Sequence, residues 1–283
     1  MTNNFELDVI VVNNFRKVKL WLIVPPFLLL ILFFLFFSLS DGTNFVDEYV
    51  ESQTSLFFSL NSGLAGYPNL LYNITQLGDA LIFYPLIIIF LFYAPKLWEV
   101  LLTSSIMTLV VSAYLKVYLI VPRPACVLDN YSFVIMGKTL TGNTSLPSGH
   151  SMTSFMAISL LLFAFMPKKA PYKIVWSLSI LTLGFIIAFS RVGVGAHYPL
   201  DVIIGMAIGF IAAILGVKVN NNLRWLDWIK NKRFHPIFMF LLLIWIFLIV
   251  KEIVAHNLPI VYLSLMSLVV TVFLITKAYV KKN

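Results

Sequence analysis

"LWLIVPPFLLLILFFLFFSL", residues 20–39, contains no charged side chain. About 20 apolar residues are what an α-helix needs to cross the hydrocarbon core of a bilayer. No small-residue cleavage site follows the run, so it reads as an uncleaved anchor rather than a removed signal peptide. Further apolar runs lie near 78–94, 98–121, 150–166, 173–190, 200–218, 235–250 and 258–276. The 283-residue chain is 60% hydrophobic and only 11% charged, whereas about a quarter of the residues in soluble globular proteins are charged. That excludes an ordinary soluble domain. The expectation is an all-α, polytopic membrane helix bundle of eight spans with both termini on one side.

Charge gives the orientation. Of the 20 Lys and Arg, 15 fall in segments that the eight-span reading puts on one face: Arg16, Lys17 and Lys19, then Lys96, then Lys168, Lys169 and Lys173, then Lys218 to Arg233, and finally Lys277, Lys281 and Lys282. The positive-inside rule makes that face cytoplasmic. The stretch 40–77 carries Asp41, Asp47, Glu48 and Glu51 and no base, so it is expected outside, lying as a turn-rich loop against the membrane surface. The net charge of +8 is then an orientation signal, and no nucleic-acid partner is expected. The segment 219–234, with Trp225 and Trp228 among its bases, reads as an interfacial connector. A single cysteine, Cys126, permits no intrachain disulfide, and no Cys/His spacing suits zinc.

Five bases remain outside the cytoplasmic count: Lys116, Arg123, Lys138, Arg191 and Lys251. Basic side chains near membrane depth are costly and often functional. Three of them sit in short stretches that the topology brings to the same outer face. "KVYLIVPRP" (116–124) holds Lys116 and Arg123, two helical turns apart. "PSGH" (147–150) opens an apolar run. "SRVGVGAHYPLD" (190–201) places Arg191, His197 and Asp201 close in sequence.

These residue types suit a phosphate ester. Arg forks and a Lys point charge neutralise non-bridging oxygens. The Ser148–Gly149 backbone at a helix start offers N–H donors, and Gly149 has no Cβ to hold an anion away. His197 is the nucleophile candidate, with Asp201 placed to orient its ring, and His150 is the candidate acid for the leaving oxygen. Phosphoryl transfer asks mainly for positioning and electrostatics, so no metal or cofactor is required. Taken singly, each element has a plainer reading: "PSGH" as a turn and helix start, Lys116 as a snorkelling side chain, Asp201 as a first-turn acid. Taken together on one membrane face, they read as a site.

The pattern K-x6-R-P, P-S-G-H, S-R-x5-H-x3-D resembles the signature of the type 2 phosphatidic acid phosphatase (PAP2) superfamily. The match runs over Lys116–Pro124, Pro147–His150 and Ser190–Asp201 with no position missing. The resemblance implies a six-helix membrane core and metal-independent dephosphorylation through a phosphohistidine. Lys116, Arg123, Arg191, Ser148 and Gly149 would bind phosphate; His150, His197 and Asp201 would do the chemistry. Soluble vanadium-dependent haloperoxidases share the signature, but the apolar content sets this chain apart from them. On this reading residues 1–218 form the catalytic membrane unit, 219–234 the connector, and 235–283 two additional spans with a basic tail.

The expected activity is therefore a lipid phosphatase at the outer leaflet of a bacterial inner membrane, with a periplasmic site. Undecaprenyl diphosphate, phosphatidylglycerol phosphate, phosphatidate and lipid A are all open as substrates. Two alternatives stay open as well: a lipid phosphotransferase using the same phosphohistidine, and a non-enzymatic lipid transporter. Ionisable residues gathered at one face, without inverted repeats, disfavour the transporter.

Overall fold

The computed structural model describes residues 6–39, 44–223, 225 and 232–280. Its regular structure is helical throughout: α1 (Glu6–Lys17), α2 (Val24–Leu39), α3 (Phe45–Leu64), α4 (Pro68–Gln76), α5 (Ala80–Leu86), α6 (Phe90–Tyr93), α7 (Pro95–Leu119), α8 (Pro124–Val127), α9 (Gly149–Ala164), α10 (Ala170–Gly193), α11 (Pro199–Asn220), α12 (His235–His256) and α13 (Pro259–Val280). Among the described residues six helices are long and apolar enough to cross a membrane: α2 with the 3-10 turn before it, α7, α10, α11, α12 and α13. The protein is an integral membrane protein. Large apolar side chains such as Leu32, Phe36, Val117, Leu178, Phe240 and Val254 face outward from these helices, as contact with lipid tails requires.

The centre of the bundle is the α9–α11 pair. They meet at small residues: Gly205 of α11 lies against Ser151 of α9, and Gly209 against the backbone of Met152 and Met156. Small residues let backbones approach closely where no hydrophobic effect drives helices together. At Gly209 a Cβ would lie 2.4 Å from the Met152 carbonyl oxygen, and at Gly205 it would lie 2.8 Å from that of Ser148. With only 16 residues, α9 is about 24 Å long, short for a span. It is buried along most of its length.

Two sequence expectations change. The run 78–94 is not one continuous helix but α5, a turn over 87–89, and α6. Pro85 lies inside α5 and has no N–H to give the carbonyl of Leu81, four residues back. Helices from elsewhere satisfy the loosened backbone: Trp245 Nε1 of α12 donates to Leu81 O at 3.0 Å, and Ser264 Oγ of α13 donates to Ile82 O at 2.8 Å. The two C-terminal helices therefore brace a broken one. The second change is in 40–77, expected as loop, whose described part holds α3 and α4. Asn44 caps α3 by accepting from the Val46 N–H at 3.1 Å, and Asp47 and Glu48 favour its first turn. The row Tyr49, Gln53, Phe57 and Asn61, spaced one helical turn apart, faces inward and is buried.

The bundle has two chemically distinct ends. At one, the Lys96 backbone N–H donates to Asp8, Asn14 Nδ2 donates to the carbonyls of Ala164 and Met166, and Lys218 Nζ donates to the Val18 carbonyl. The starts of α7 and α10 and the end of α11 lie at this basic end. Of the expected connector, Arg224 and residues 226–231, including Trp228 and Lys230, lie outside the described residues. At the opposite end α12 stops at Asn257, which adopts the left-handed conformation (φ 48) just before Pro259. The carboxyl end of α7, the start of α9 and the α10–α11 turn all gather there.

Candidate active site

The α10–α11 turn sets the frame. Gly195 has φ +76, and a Cβ on it would come within 2.6 Å of the Val134 carbonyl oxygen. Glycine thus permits both the left-handed turn and the close approach of the 129–148 loop. Beyond it, His197 precedes α11, which opens with Pro199 at its first turn and Asp201 two positions on. Both His197 (2% exposed) and Asp201 (0%) are buried.

His197 Nδ1 lies 3.3 Å from Asp201 Oδ2, and its Nε2 lies 3.2 Å from Arg123 Nη1. A guanidinium only donates, so Nε2 accepts and Nδ1 carries the proton toward Asp201. The lone pair of Nε2 thus faces a cation. Burial pulls the His197 pKa down to about 4, although the hydrogen bond and charge of Asp201 push it the other way. The imidazole is neutral near pH 7, as a nitrogen nucleophile must be.

Asp201 is held on every side. Its Oδ2 accepts from Ser145 Oγ at 2.5 Å and from the Tyr198 N–H at 2.9 Å, and its Oδ1 accepts from Tyr49 Oη at 2.6 Å. Burial, followed by the Asp201 charge, drives the Tyr49 phenol well above its ordinary pKa, so it remains a proton donor. Ser145 and Tyr49 were not singled out from the sequence. Ser145 stands two positions before Pro147 with nothing to mark it. Tyr49 stands in an i, i+4 row with Gln53, Phe57 and Asn61, whose two amides break the apolar periodicity that would mark it.

The cations surround this pair. Arg123 Nη1 also donates to the Ala196 carbonyl at 3.1 Å. Arg191, only 6% exposed, donates from Nη1 to Thr75 Oγ1 of α4 at 2.9 Å, while its buried Nε has no partner among the described residues. An unpaired buried guanidinium N–H is costly, and an anion would satisfy it. Lys116 Nζ lies 3.5 Å from where a Cβ on Gly149 would stand. His150, on the first turn of α9, lies within electrostatic reach of Arg191, His197, Arg123 and Lys116. Together with Arg191, Tyr72, Gln76, Asp79 and Lys138 it lines a cavity of about 220 Å³.

Ser148 differs from its expected part. Its backbone N–H donates to the Asp201 carbonyl at 3.0 Å, and its Oγ accepts from the Ser151 N–H at 3.4 Å, capping α9, and from the Ser151 hydroxyl at 2.9 Å. It ties α9 to α11 rather than facing an anion. The amides that α9 itself leaves unsatisfied at its start are those of Gly149 and His150. Every other candidate, Lys116, Arg123, Gly149, His150, Arg191, His197 and Asp201, lies at this one end of the bundle.

This geometry has relatives. The chain is 27% identical over 211 residues to an undecaprenyl-diphosphatase of Sulfolobus acidocaldarius, covering 73% of this chain and 94% of that one. Its fold is similar to that of a transmembrane PAP2-type phosphatidylglycerolphosphate phosphatase of Bacillus subtilis, with a TM-score of 0.50 at 20% identity over 72% of this chain and 98% of that one. A solved structure of LpxE from Aquifex aeolicus aligns with a TM-score of 0.49 at 26% identity over 59% of this chain and 94% of that one. The sequence profile of the PAP2 superfamily matches residues 80–225, which hold all three motif stretches, His197 and Asp201 among them, and the chain belongs to that superfamily.

Proposed function

We propose that the protein is a membrane lipid phosphatase or diphosphatase that works through a phosphohistidine on His197, at the outer face of the membrane. The observation that carries the reading is the setting of His197. Its ring is neutral, its Nδ1–H points at a fully buried carboxylate, and its Nε2 lone pair is aimed among cations.

The reaction follows from those groups. Arg123, Arg191 and Lys116, with the amides at the start of α9, hold the phosphoryl oxygens; on binding, Arg123 turns from Nε2 to the phosphate. The Nε2 lone pair forms the N–P bond as the P–O bond to the leaving group breaks; His150, whose pKa burial and the nearby cations lower in the free protein, takes up a proton as the anionic phosphate binds beside it and gives that proton to the departing oxygen. Asp201 stabilises the positive charge that develops on His197. A water then attacks phosphorus and gives its proton to the now neutral His150. The N–P bond breaks, and inorganic phosphate and free His197 are restored. No step draws on a metal.

The substrate class is a lipid bearing a phosphate or diphosphate, in keeping with a relative named for undecaprenyl diphosphate. Residues 1–218 form the catalytic unit and 235–283 brace it. The basic end of the bundle faces the cytoplasm by the positive-inside rule. The opposite, catalytic end then faces out, on the periplasmic side of an inner membrane.

The test is phosphate release from a panel of phosphorylated lipids by purified protein in detergent, with a chelator present. Chelator-resistant release that His197→Ala abolishes is expected. Wild-type turnover by His197→Ala would refute the mechanism. Transfer of label to a second lipid, with no free phosphate, would make the protein a phosphotransferase.

A further inference from the structure

The Asp201 carboxylate has a partner from a helix that lies before the 80–225 stretch shared with the PAP2 profile. Tyr49 of α3 places its hydroxyl 2.6 Å from Asp201 Oδ1, the oxygen that His197 does not contact. Neither group touches solvent, both being 0% exposed. We propose that Tyr49 is a positioning residue of the active site: it holds the Asp201 carboxylate in the rotamer that meets His197 and withdraws charge from it. The proposal rests on the reading of His197 as the attacking group.

The rest of α3 is built to keep this contact. One turn along, Gln53 Nε2 donates to the Tyr49 carbonyl at 2.8 Å while its Oε1 accepts from the Leu200 N–H at 2.9 Å. Gln53 thereby fastens α3 to the first turn of α11, one residue from Asp201. Two turns further, Asn61 Nδ2 donates to the carbonyls of Val134, Val192 and Gly193, and its Oδ1 accepts from the Val134 N–H. A single face of α3 thus grips α11, the α10 terminus and the 129–148 loop. Phe57 fills the gap between, packed edge-on against Tyr198 and Phe133. The Tyr49 ring itself is wedged between Phe33 and Phe37 of α2 and Phe45.

The consequence is a difference in acidity that packing alone would not produce. A hydrogen bond to a carboxylate stabilises its charge and weakens its pull on a neighbouring imidazolium. When Tyr49 becomes Phe, Asp201 attracts a proton on His197 more strongly. The pKa of His197 rises, and the acid limb of kcat/KM moves to higher pH. The charged and titratable groups around the His197–Asp201 pair are Arg123, Arg191, Lys116, His150, Tyr198 and Tyr49. Only Tyr49 changes in the comparison, so the direction of the shift is assigned to it.

The experiment is the kcat/KM–pH profile of full-length wild type, Tyr49→Phe and Phe57→Leu on one lipid phosphate in detergent. Substrate ionisation is common to all three and cancels. Tyr49→Phe is expected to raise the acid limb by about half a pH unit or more and to lower kcat about tenfold. Phe57→Leu is expected to weaken thermal stability with its acid limb in place. An unmoved limb in Tyr49→Phe, whether or not stability falls, overturns the proposal. If His197→Ala turned over like wild type, the reading of His197 would fail first. Loss of activity in His197→Ala with an unmoved Tyr49→Phe limb sinks the Tyr49 role alone.

Discussion

Gly209→Ala puts a single methyl group where α11 meets α9, and the structure sets the size of the effect. The new Cβ would lie 2.4 Å from the Met152 carbonyl oxygen and 3.0 Å from the Met156 nitrogen, whereas ordinary contact begins at 3.4 Å. Both neighbours are helix backbone and cannot rotate away, so α9 must shift by about 1 Å to clear the methyl. Overpacking of this kind costs about 1–3 kcal/mol. The start of α9 carries His150, and α11 carries Asp201, so the shift also separates the two halves of the site. A misplacement of about 1 Å is worth roughly 100-fold in rate. The assay pairs lipid phosphate turnover with thermal unfolding of purified protein, using Gly63→Ala as the control. Gly63 is exposed on α3, and among the described residues nothing beyond its chain neighbours and its own helix backbone comes within 4 Å of its would-be Cβ. The control is expected to keep full turnover and to gain up to about 1 kcal/mol of stability. Gly209→Ala with wild-type kcat and an unchanged unfolding midpoint would refute the close-packing argument, as would an equal loss in Gly63→Ala.

Three further outcomes are expected. Because burial holds the His197 pKa down to about 4, the ring stays neutral above that pH, and the enzyme-derived acid limb of kcat/KM falls below histidine's usual 6.5; a limb that keeps its position when substrates of different phosphate pKa are exchanged reports the enzyme group. Thr75→Val removes the acceptor for Arg191 Nη1 and is expected to raise KM about tenfold, with kcat changed less. Trp245→Phe leaves the Leu81 carbonyl without its donor and lowers stability by about 1–3 kcal/mol, seen in thermal unfolding, with the pH profile in place.

What could be read in advance follows from where each signal resides. The charged residues that gather at the candidate site were legible as a group because Lys, Arg, His and Asp are scarce in a chain with 11% charged residues, and their spacing fell in three short stretches. Hydropathy located the long helices but counted the 78–94 run as one span. It weighs side-chain apolarity and takes no account of the N–H that Pro85 lacks, so the break and its repair by Trp245 and Ser264 were hidden. The helix α3 was hidden for the opposite reason. Its buried row alternates Tyr49, Gln53, Phe57 and Asn61, two of them polar, and a polar face buried against other backbones looks like loop composition. Ser148 was assigned to the right helix start, but nothing local reveals that its N–H is taken by the Asp201 carbonyl, 53 positions away in the chain.

In the proposed mechanism phosphorus becomes bonded to His197. Rapid quenching of the full-length protein with a lipid carrying radiolabelled phosphate, followed by peptide mapping under alkaline conditions that preserve phosphohistidine, tests it most directly. Acid-labile label is expected on the peptide containing His197, lost in His197→Ala and retained in a variant such as Trp245→Phe that lies outside the site. Label on another residue, or steady turnover by His197→Ala with no protein-bound phosphate, would contradict it.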